Sequence, residues 1–390
     1  MNQIDEIWDK LVANGFKVST DTRKDVSGSI FFALEGEIFD GRTFVKDALA
    51  KGAIGVVTEN TLDTLQKLAR RYRDTFNIPI IAIGGSNGKT TTRELMRAVL
   101  ETSFKVHTTK SNLNNHIGLP LSILSMNKST EIGIFEIGAN HLGEHTSLLE
   151  ILNPTHVIVT NSGLDHLEGF GLPANVEKAN EEINEWARKH GAIIFAGSDQ
   201  GLKIVTSLPL TLTKDGKEYK TQMVGDYNLE NINRALSVGL FFKINIERAL
   251  KAINKYSPTE QRSQLLIRDG IHFVIDCYNA NPTSMILSLE SFVRSAVEPR
   301  GIILGDMLEL GSYADEEHER IINFVNRQKL DTVVLIGKQF KQALNEKSFK
   351  NFWFEDSDSA REWFSKQKFT GYTFLLKGSR GMKVERILEK

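Results

Sequence analysis

Residues 80–92 read IIAIGGSNGKTTT. An apolar run breaks into glycines, and then into a lysine and three threonines. The run "IPIIAIGG" has the unbroken apolar character of a strand buried on both faces. From Thr90 to Glu101, Leu95, Met96, Val99 and Leu100 recur on one side, which predicts an amphipathic helix. A strand, a glycine-rich turn and a helix, in that order, make an anion site. The glycines let backbone N–H groups approach a phosphate, and the helix N-terminus adds favourable partial charge. Gly85, Ser86, Asn87, Gly88, Lys89, Thr90 and Thr91 are the expected grip, with Lys89 reaching the β/γ-phosphates and the Thr90 hydroxyl ligating Mg²⁺. The general Walker spacing is not met, because Ile83 stands where its first glycine belongs.

Strand, turn and helix repeat outward from this point. "IPIIAIG", "IGIFEIG", "HVIVTN" and "AIIFAG" read as strands, with helices over 90–101, 117–125, 147–152 and 175–189. Upstream, "SIFFAL" and "AIGVV" are strands of a small unit, joined by a helix "FVKDALAKG" that Gly52 closes. A further helix runs over 65–76, ahead of Pro79. After helices over 229–243 and 247–255, "YSPTEQRS" reads as a linker. Then "IHFVID", "RGIILGD", "DTVVLIG" and "YTFLLKG" restart the alternation. The expectation is an α/β protein of three domains: a small N-terminal α/β domain over 1–77, a central P-loop parallel-sheet domain over 78–257, and a Rossmann-like C-terminal domain over 258–390. The stretch "DQGLKIVTSLPLTLTKDGKEYKTQMV" reads only as a short link between two of these pieces.

Composition excludes several classes. With 41% hydrophobic and 25% charged residues the 390-residue chain can build more than one ordinary core. Lys+Arg is 48 against Asp+Glu 49, a net charge of −1, which gives no electrostatic reason for a nucleic-acid or membrane partner. Cys277 is the only cysteine, so no disulfide framework forms within the chain and a reducing compartment fits. No apolar run is long enough to cross a bilayer, and "MNQIDEIWDKL" is no signal peptide, so a cytoplasmic location is expected.

The compact "GGSNGKTT" resembles the nucleotide loop of the Mur ligases, the ATP-dependent amide ligases of peptidoglycan synthesis, although Gly84 stands where that family commonly has threonine. Further stretches follow in family order: "STDTRKDVSGSIFFALEGEIFDGRTFV", "KSNLNNHIGLPLSIL", "EIGANHLGE", "LDHLEGFG", "GDYNLENINRAL", "DCYNANPTSM", "GDMLELG" and "LLKGSRGMKVE". The resemblance spans essentially the whole chain. The "YNANP" and "GDMLELG" stretches look most like the member that joins D-alanyl-D-alanine to UDP-N-acetylmuramoyl-tripeptide. What it implies is ATP and two Mg²⁺ ions as cofactors, that precursor and dipeptide as substrates, and a monomer at work.

The resemblance also assigns roles. Glu136, after "IGIF", and Thr90 would hold one Mg²⁺, and His166 would ligate a second, although a lone histidine serves equally as a hydrogen-bonding group. Asn112, Asn114 and Asn115 would meet phosphates and the muramoyl substrate, where turn chemistry and helix capping are the plainer reading. His116 reads as structural or solvent-facing. Asn228, Asn231, Arg262, Asp276, Tyr278, Asn279 and Asn281 match the purine and ribose side, and Asn228 also reads as a simple N-cap. Thr22, Arg23, Gly36, Glu37 and Phe39 match the uridine-diphosphate site. Lys377, Ser379 and Arg380 could hold a substrate carboxylate or be merely solvated. Such an enzyme phosphorylates a carboxylate to make it electrophilic, so it needs positioning and charge neutralisation, with Lys89, Glu136, His166 and Asn115 at the chemistry, rather than a nucleophile triad.

One position departs from the family. Asn180 stands where the resemblance expects a lysine carbamoylated by CO₂, and asparagine cannot copy that anion. Lys178 lies two residues away, about 200° round a helix and nearly on the opposite face. Three readings remain: an active ligase without a carbamate, another superfamily ligase such as one acting on folate polyglutamates, or a silent nucleotide- or precursor-binding paralogue.

Overall fold

The computed structural model describes residues 3–36, 39–110, 112–344 and 351–389. A first, three-stranded parallel sheet has the order β1 (Val18–Ser19), β2 (Ile30–Phe32), β3 (Gly55–Val57), with helices α1 (Gln3–Ala13), α2 (Val45–Ala50) and α3 (Thr61–Arg73). Its apolar face does not close on itself. Ile7, Leu11, Phe32, Leu65 and Leu68 join one cluster with Ile80, Ala82, Leu119, Phe135 and Leu149 of the following unit, so burial of apolar area docks the two.

The central sheet is wholly parallel, in the order β5 (Val106–Thr108), β6 (Ile132–Glu136), β4 (Ile80–Gly84), β7 (His156–Val159), β8 (Ile193–Ile194). Every residue of β4 and β6 is buried, as their continuous apolar sequences require when helices cover both faces. Those helices are α4 (Lys89–Leu100), α5 (Gly118–Leu124), α6 (Glu144–Leu152), the short α7 (Leu167–Phe170), α8 (Pro173–His190), α9 (Asn228–Phe241) and α10 (Ile246–Lys255). The chain turns back on either side of β4, so the crevice at this switch point opens at the carboxyl ends of β4, β6 and β7.

Two sequence expectations need correction here. "AIIFAG" supplies only two strand residues, and Ile193 and Ile194 are 43% and 39% exposed, because they form a sheet edge with no neighbour beyond. The supposed link after it is a three-stranded antiparallel sheet, β9 (Lys203–Ser207), β10 (Leu210–Lys214) and β11 (Lys217–Lys220). Leu210, Leu212, Tyr219 and Met223 from this segment pack with Leu95, Met96 and Val99 of α4. The alternation "LTLT" and the turn "KDGK" carry that hairpin.

The last sheet runs β12 (Gln264–Arg268), β13 (Ile271–Asp276), β17 (Thr373–Lys377), β14 (Arg300–Gly305), β15 (Thr332–Ile336), β16 (Phe352–Phe354), antiparallel only at β12. Helices α11 (Pro282–Ser295), α12 (Ala314–Val325), α13 (Lys338–Ala343) and α14 (Ser357–Ser365) flank it. Neither β12 nor β16 was expected from sequence, since both are partly exposed outer strands with weak apolar signal. Among the described residues no helix is long and apolar enough to cross a membrane.

Several imidazoles are folded away. Burial pushes His107 down to about 4, and it lowers His145 and His156 as well. These groups bind protons more readily unfolded than folded, so stability is full above the ordinary histidine value near 6.5 and falls as pH drops toward 4. Denaturant unfolding at pH 7.5 and pH 5.5 is expected to give the lower midpoint at pH 5.5. A His107→Gln variant is expected to reduce that difference; an equal difference would remove His107 as its source.

Candidate active site

The phosphate turn is assembled by register. Ile83 of β4 pairs with Glu136 of β6, and Gly84 pairs with Val159 of β7. The loop leaving β4 therefore emerges between the end of β6 and the loop that follows β7. That second loop clamps the first: Asn161 Oδ1 accepts from Asn87 N at 3.0 Å, Asn161 Nδ2 donates to Asn87 O at 3.0 Å, and Ser86 N donates to Asn161 O at 2.8 Å. Gly85 has φ +111°, and a Cβ there would lie 2.3 Å from Thr160 Oγ1. Gly88 has φ +83°, and its Cβ would meet Asn231 Oδ1 at 2.5 Å. Both glycines are dictated by close approach as well as by handedness.

Lys89 opens α4 and folds back over the loop, its Nζ donating to Gly85 O at 2.5 Å and to Ser86 O at 3.1 Å. The next residue, Thr90, donates to Glu136 Oε2 at 3.0 Å, and Asn114 Nδ2 donates to Glu136 Oε1 at 3.0 Å. Arg93, one turn further along α4, lies 3.3 Å from the same Glu136 Oε2 and 2.8 Å from Glu94. Sequence reasoning missed Arg93; its signal was a charged side chain on the apolar face of a helix, and it is 2% exposed.

Opposite, His166 sits after β7 in the left-handed region with φ +47°. Its Nδ1 is 2.8 Å from Glu309 Oε2, a residue of the "GDMLELG" stretch. The His166 hydrogen bond holds the Glu309 carboxyl below the usual carboxylate range. With Nδ1–H donated to a carboxylate, Nε2 keeps a lone pair, the arrangement that orients metal-binding histidines. Among the described residues no three His, Cys, Asp or Glu side chains converge as a ready-made cation cage. The donor set still suits Mg²⁺, which takes one or two carboxylates and draws its other ligands from phosphate and water. Thr90 with Glu136, and separately His166, fit that use.

The third unit closes the cleft. Asn281 Nδ2 donates to Asn87 Oδ1 at 2.9 Å while Asn281 Oδ1 caps α11, so one side chain ties the C-terminal sheet to the phosphate loop. The strand register puts Asp276 beside Lys377, and Lys377 Nζ donates to Asp276 Oδ2 at 2.5 Å. Arg262 lies over the Tyr278 ring, 3.5 Å from its centroid. The cleft has a volume of about 530 Å³. Asn87 Nδ2 and Arg262 Nε, from two of its lining residues, are buried without a hydrogen-bond partner, which a polar ligand would satisfy.

Most of the expected residues meet here. Ser86, Asn87, Gly88, Lys89, Thr90, Thr91, Asn112, Asn114, Asn115, Glu136, His166, Asn228, Asn231, Arg262, Asp276, Tyr278, Asn279, Asn281 and Lys377 all line the cleft. Gly85 belongs to the loop but does not line the cleft; its carbonyl accepts from Lys89 Nζ. Asn115 Oδ1 also accepts from Gly118 N at 2.9 Å where α5 begins, the turn chemistry of the plainer reading. Asn228 is no N-cap: it is the first residue of α9, buried, donating to Val224 O and accepting from Asn231 Nδ2. His116 is exposed and lines the cleft as well.

Other expected residues lie elsewhere. Ser379 is buried and joins two loops, bonding Ala280 O and Leu308 N. Arg380 is spent on Gln261 and Glu385 at the surface. Neither lines the cleft, so of the three C-terminal polar residues Lys377 alone reaches it. Thr22, Arg23, Gly36 and Phe39 belong to the first unit and do not line it either. Thr22 O accepts from Lys51, Arg23 is paired with Asp21, and Gly36 N donates to the O of Phe39, a residue 55% exposed. Glu37 lies outside the described residues. Asn180 is buried on α8, and its Nδ2 donates to Ser162 Oγ at 3.1 Å and approaches Ser86 Oγ at 3.5 Å. Lys178 is exposed, as its angular separation requires.

Residues 83–212 match the Mur ligase middle domain and residues 261–380 match the Mur ligase glutamate ligase domain. The chain belongs to the Mur ligase family. Within that family it is 31% identical to the UDP-N-acetylmuramoyl-tripeptide–D-alanyl-D-alanine ligase of Bacillus subtilis, over 98% of this chain and 94% of the relative. It is 29% identical to the ligase of the same name from Treponema pallidum, over 98% and 95%. Crystal structures of MurF share the fold: one from Acinetobacter baumannii with a TM-score of 0.84 at 24% identity over 95% of this chain and 92% of that one, and one from Thermotoga maritima in complex with ADP, with a TM-score of 0.80 at 24% identity over 100% and 98%.

Proposed function

We propose that this protein is an ATP-dependent, ADP-forming ligase that joins D-alanyl-D-alanine to UDP-N-acetylmuramoyl-tripeptide in peptidoglycan synthesis. One observation carries the reading: the phosphate loop, Glu136 and His166 face a single cleft that a third unit closes through Asn281 and Glu309. The whole-length relatives supply the substrates. Residues 1–77, 78–257 and 258–390 are read as three domains, the first gripping the uridine nucleotide, the second ATP and Mg²⁺, and the third closing over both. The enzyme is read as working in the cytoplasm, as a monomer.

The chemical task is to make a carboxylate electrophilic. Loop N–H groups and the start of α4 cradle the phosphates, and Lys89 leaves its own loop carbonyls to neutralise the transferring group. Thr90 and Glu136 would hold Mg²⁺, which would offset phosphate charge. Asn231, itself held by Asn228, backs Gly88, and Arg262 stacked on Tyr278 offers a flat, cationic wall to the purine. Closure across the Asn281–Asn87 contact excludes water, which would otherwise hydrolyse an acyl phosphate before the amine reached it.

The experiment is turnover with ATP, Mg²⁺, the tripeptide precursor and D-alanyl-D-alanine. Phosphate release coupled to amide formation is expected, and neither occurring would overturn the reading. Because Asn180 cannot carry a carbamate, the rate is expected to be the same in CO₂-depleted buffer and with added bicarbonate. A clear stimulation would place a carbamate elsewhere in the site.

A further inference from the structure

Asp165 is a carboxylate to which no role has yet been given. It lines the cleft, is 7% exposed, and its Oδ1 accepts a 2.6 Å hydrogen bond from Ser86 Oγ of the phosphate loop. Its Oδ2 receives no hydrogen bond from any described residue. The single hydroxyl hydrogen of Ser86 points to Asp165, its 3.4 Å approach to Gly163 O being much the longer. The lone pairs of Ser86 are then what Asn180 Nδ2 meets at 3.5 Å. Asn180 thus stands behind a chain of donors that runs through Ser86 to Asp165.

A carboxylate bonded directly to a loop that cradles a polyanion is electrostatically wrong unless a cation lies between the two. His166, the next residue, keeps Nε2 open because Glu309 takes Nδ1. We infer that Asp165 is an oxygen ligand of a second divalent cation in this cleft, beside His166, and that Asn180 is a positioning residue acting on it through Ser86. The inference rests on the ATP-ligase reading. It assigns the anion of the second site to the loop after β7, where Asn180 on α8 supplies none.

The test counts cations rather than turnover. Mn²⁺ replaces Mg²⁺, and electron paramagnetic resonance measures free Mn²⁺ in the presence of a non-hydrolysable ATP analogue. The wild-type chain is expected to bind two Mn²⁺ ions. Asp165→Asn keeps an oxygen for Ser86 and is expected to weaken one of the two by about 10- to 100-fold, leaving the other and the nucleotide in place. Asn180→Ala is expected to weaken the same ion by about tenfold without touching the first. One ion in the wild type, or two unaltered ions in Asp165→Asn, would overturn the inference, and an unaltered Asn180→Ala would remove the positioning role. Should Asp165→Asn fail to fold, Asp165→Glu moves the charge by one methylene, with a weakened second ion expected and an unchanged one counting against the site. A wild type that binds both ions yet makes no amide would defeat the ligase reading and leave the cation site standing.

Discussion

Replacing Lys89 with methionine is expected to lower phosphate-releasing turnover by about 10³-fold with little change in thermal stability. The ammonium contacts Gly85 O and Ser86 O, carbonyls of its own loop, at 2.5 and 3.1 Å. It is not what shapes that loop. Asn161 clamps Asn87 at both backbone groups, and Ser86 is tied to Asn161 and Asp165, so the turn survives the substitution. What disappears is a full positive charge in a water-poor site, worth about 3–4 kcal/mol to a transition state of phosphoryl transfer. Steady-state phosphate release, with calorimetric binding of ATP alongside, separates lost catalysis from lost affinity. Undiminished turnover would mean that phosphoryl transfer does not occur at this loop.

Glu136→Gln is expected to act on both rate and stability. Glutamine retains an oxygen for Thr90 or Asn114, but it loses the charge that a cation needs, so turnover is expected to fall by about 10²–10³-fold and the Mg²⁺ requirement to rise. The stability effect comes from Arg93. Its side chain and that of Glu136 are 3% and 4% exposed, and removing one charge of such a pair leaves the other buried. Glu94, 2.8 Å from Arg93, compensates part of the loss. The expected destabilisation is therefore about 1–3 kcal/mol rather than the full penalty for breaking a buried pair. Urea unfolding and a Mg²⁺ titration of turnover measure the two effects separately. A Glu136→Gln enzyme with wild-type Mg²⁺ dependence would exclude this carboxylate from the cation site.

Both variants depend on residues that adjacency alone made readable. The phosphate loop is a local object: strand, glycines, Lys89, Thr90 and helix are consecutive, so their geometry follows from short-range backbone rules. Glu136 was legible for a related reason, since an acidic residue ending an apolar strand falls on the ligand edge of a parallel sheet. Arg93 and Glu309 were not legible in that way. Each sits in a stretch that sequence brought into view, but its partner is 43 positions away for Arg93 and 143 for Glu309, and nothing local encodes either distance. The small sheet of β9, β10 and β11 was missed for the opposite reason. Its signal was local but weak, because only one face of it is buried against α4.

Sequence by itself determined that a glycine-rich turn at residues 85–91 joins a buried strand to a helix, that parallel sheets surround it, and that Asn180 supplies no anion of its own. These are properties of residue type and spacing, and the chain cannot fold them away. Only the tertiary structure decided that Lys377 faces the cleft while Ser379 and Arg380 do not, that Asn281 reaches Asn87, and that Asn180 stands behind Ser86 and Asp165. The physical reason is that strand register and helix packing set which distant side chains share a volume, and a charge acquires its function from the neighbours found there.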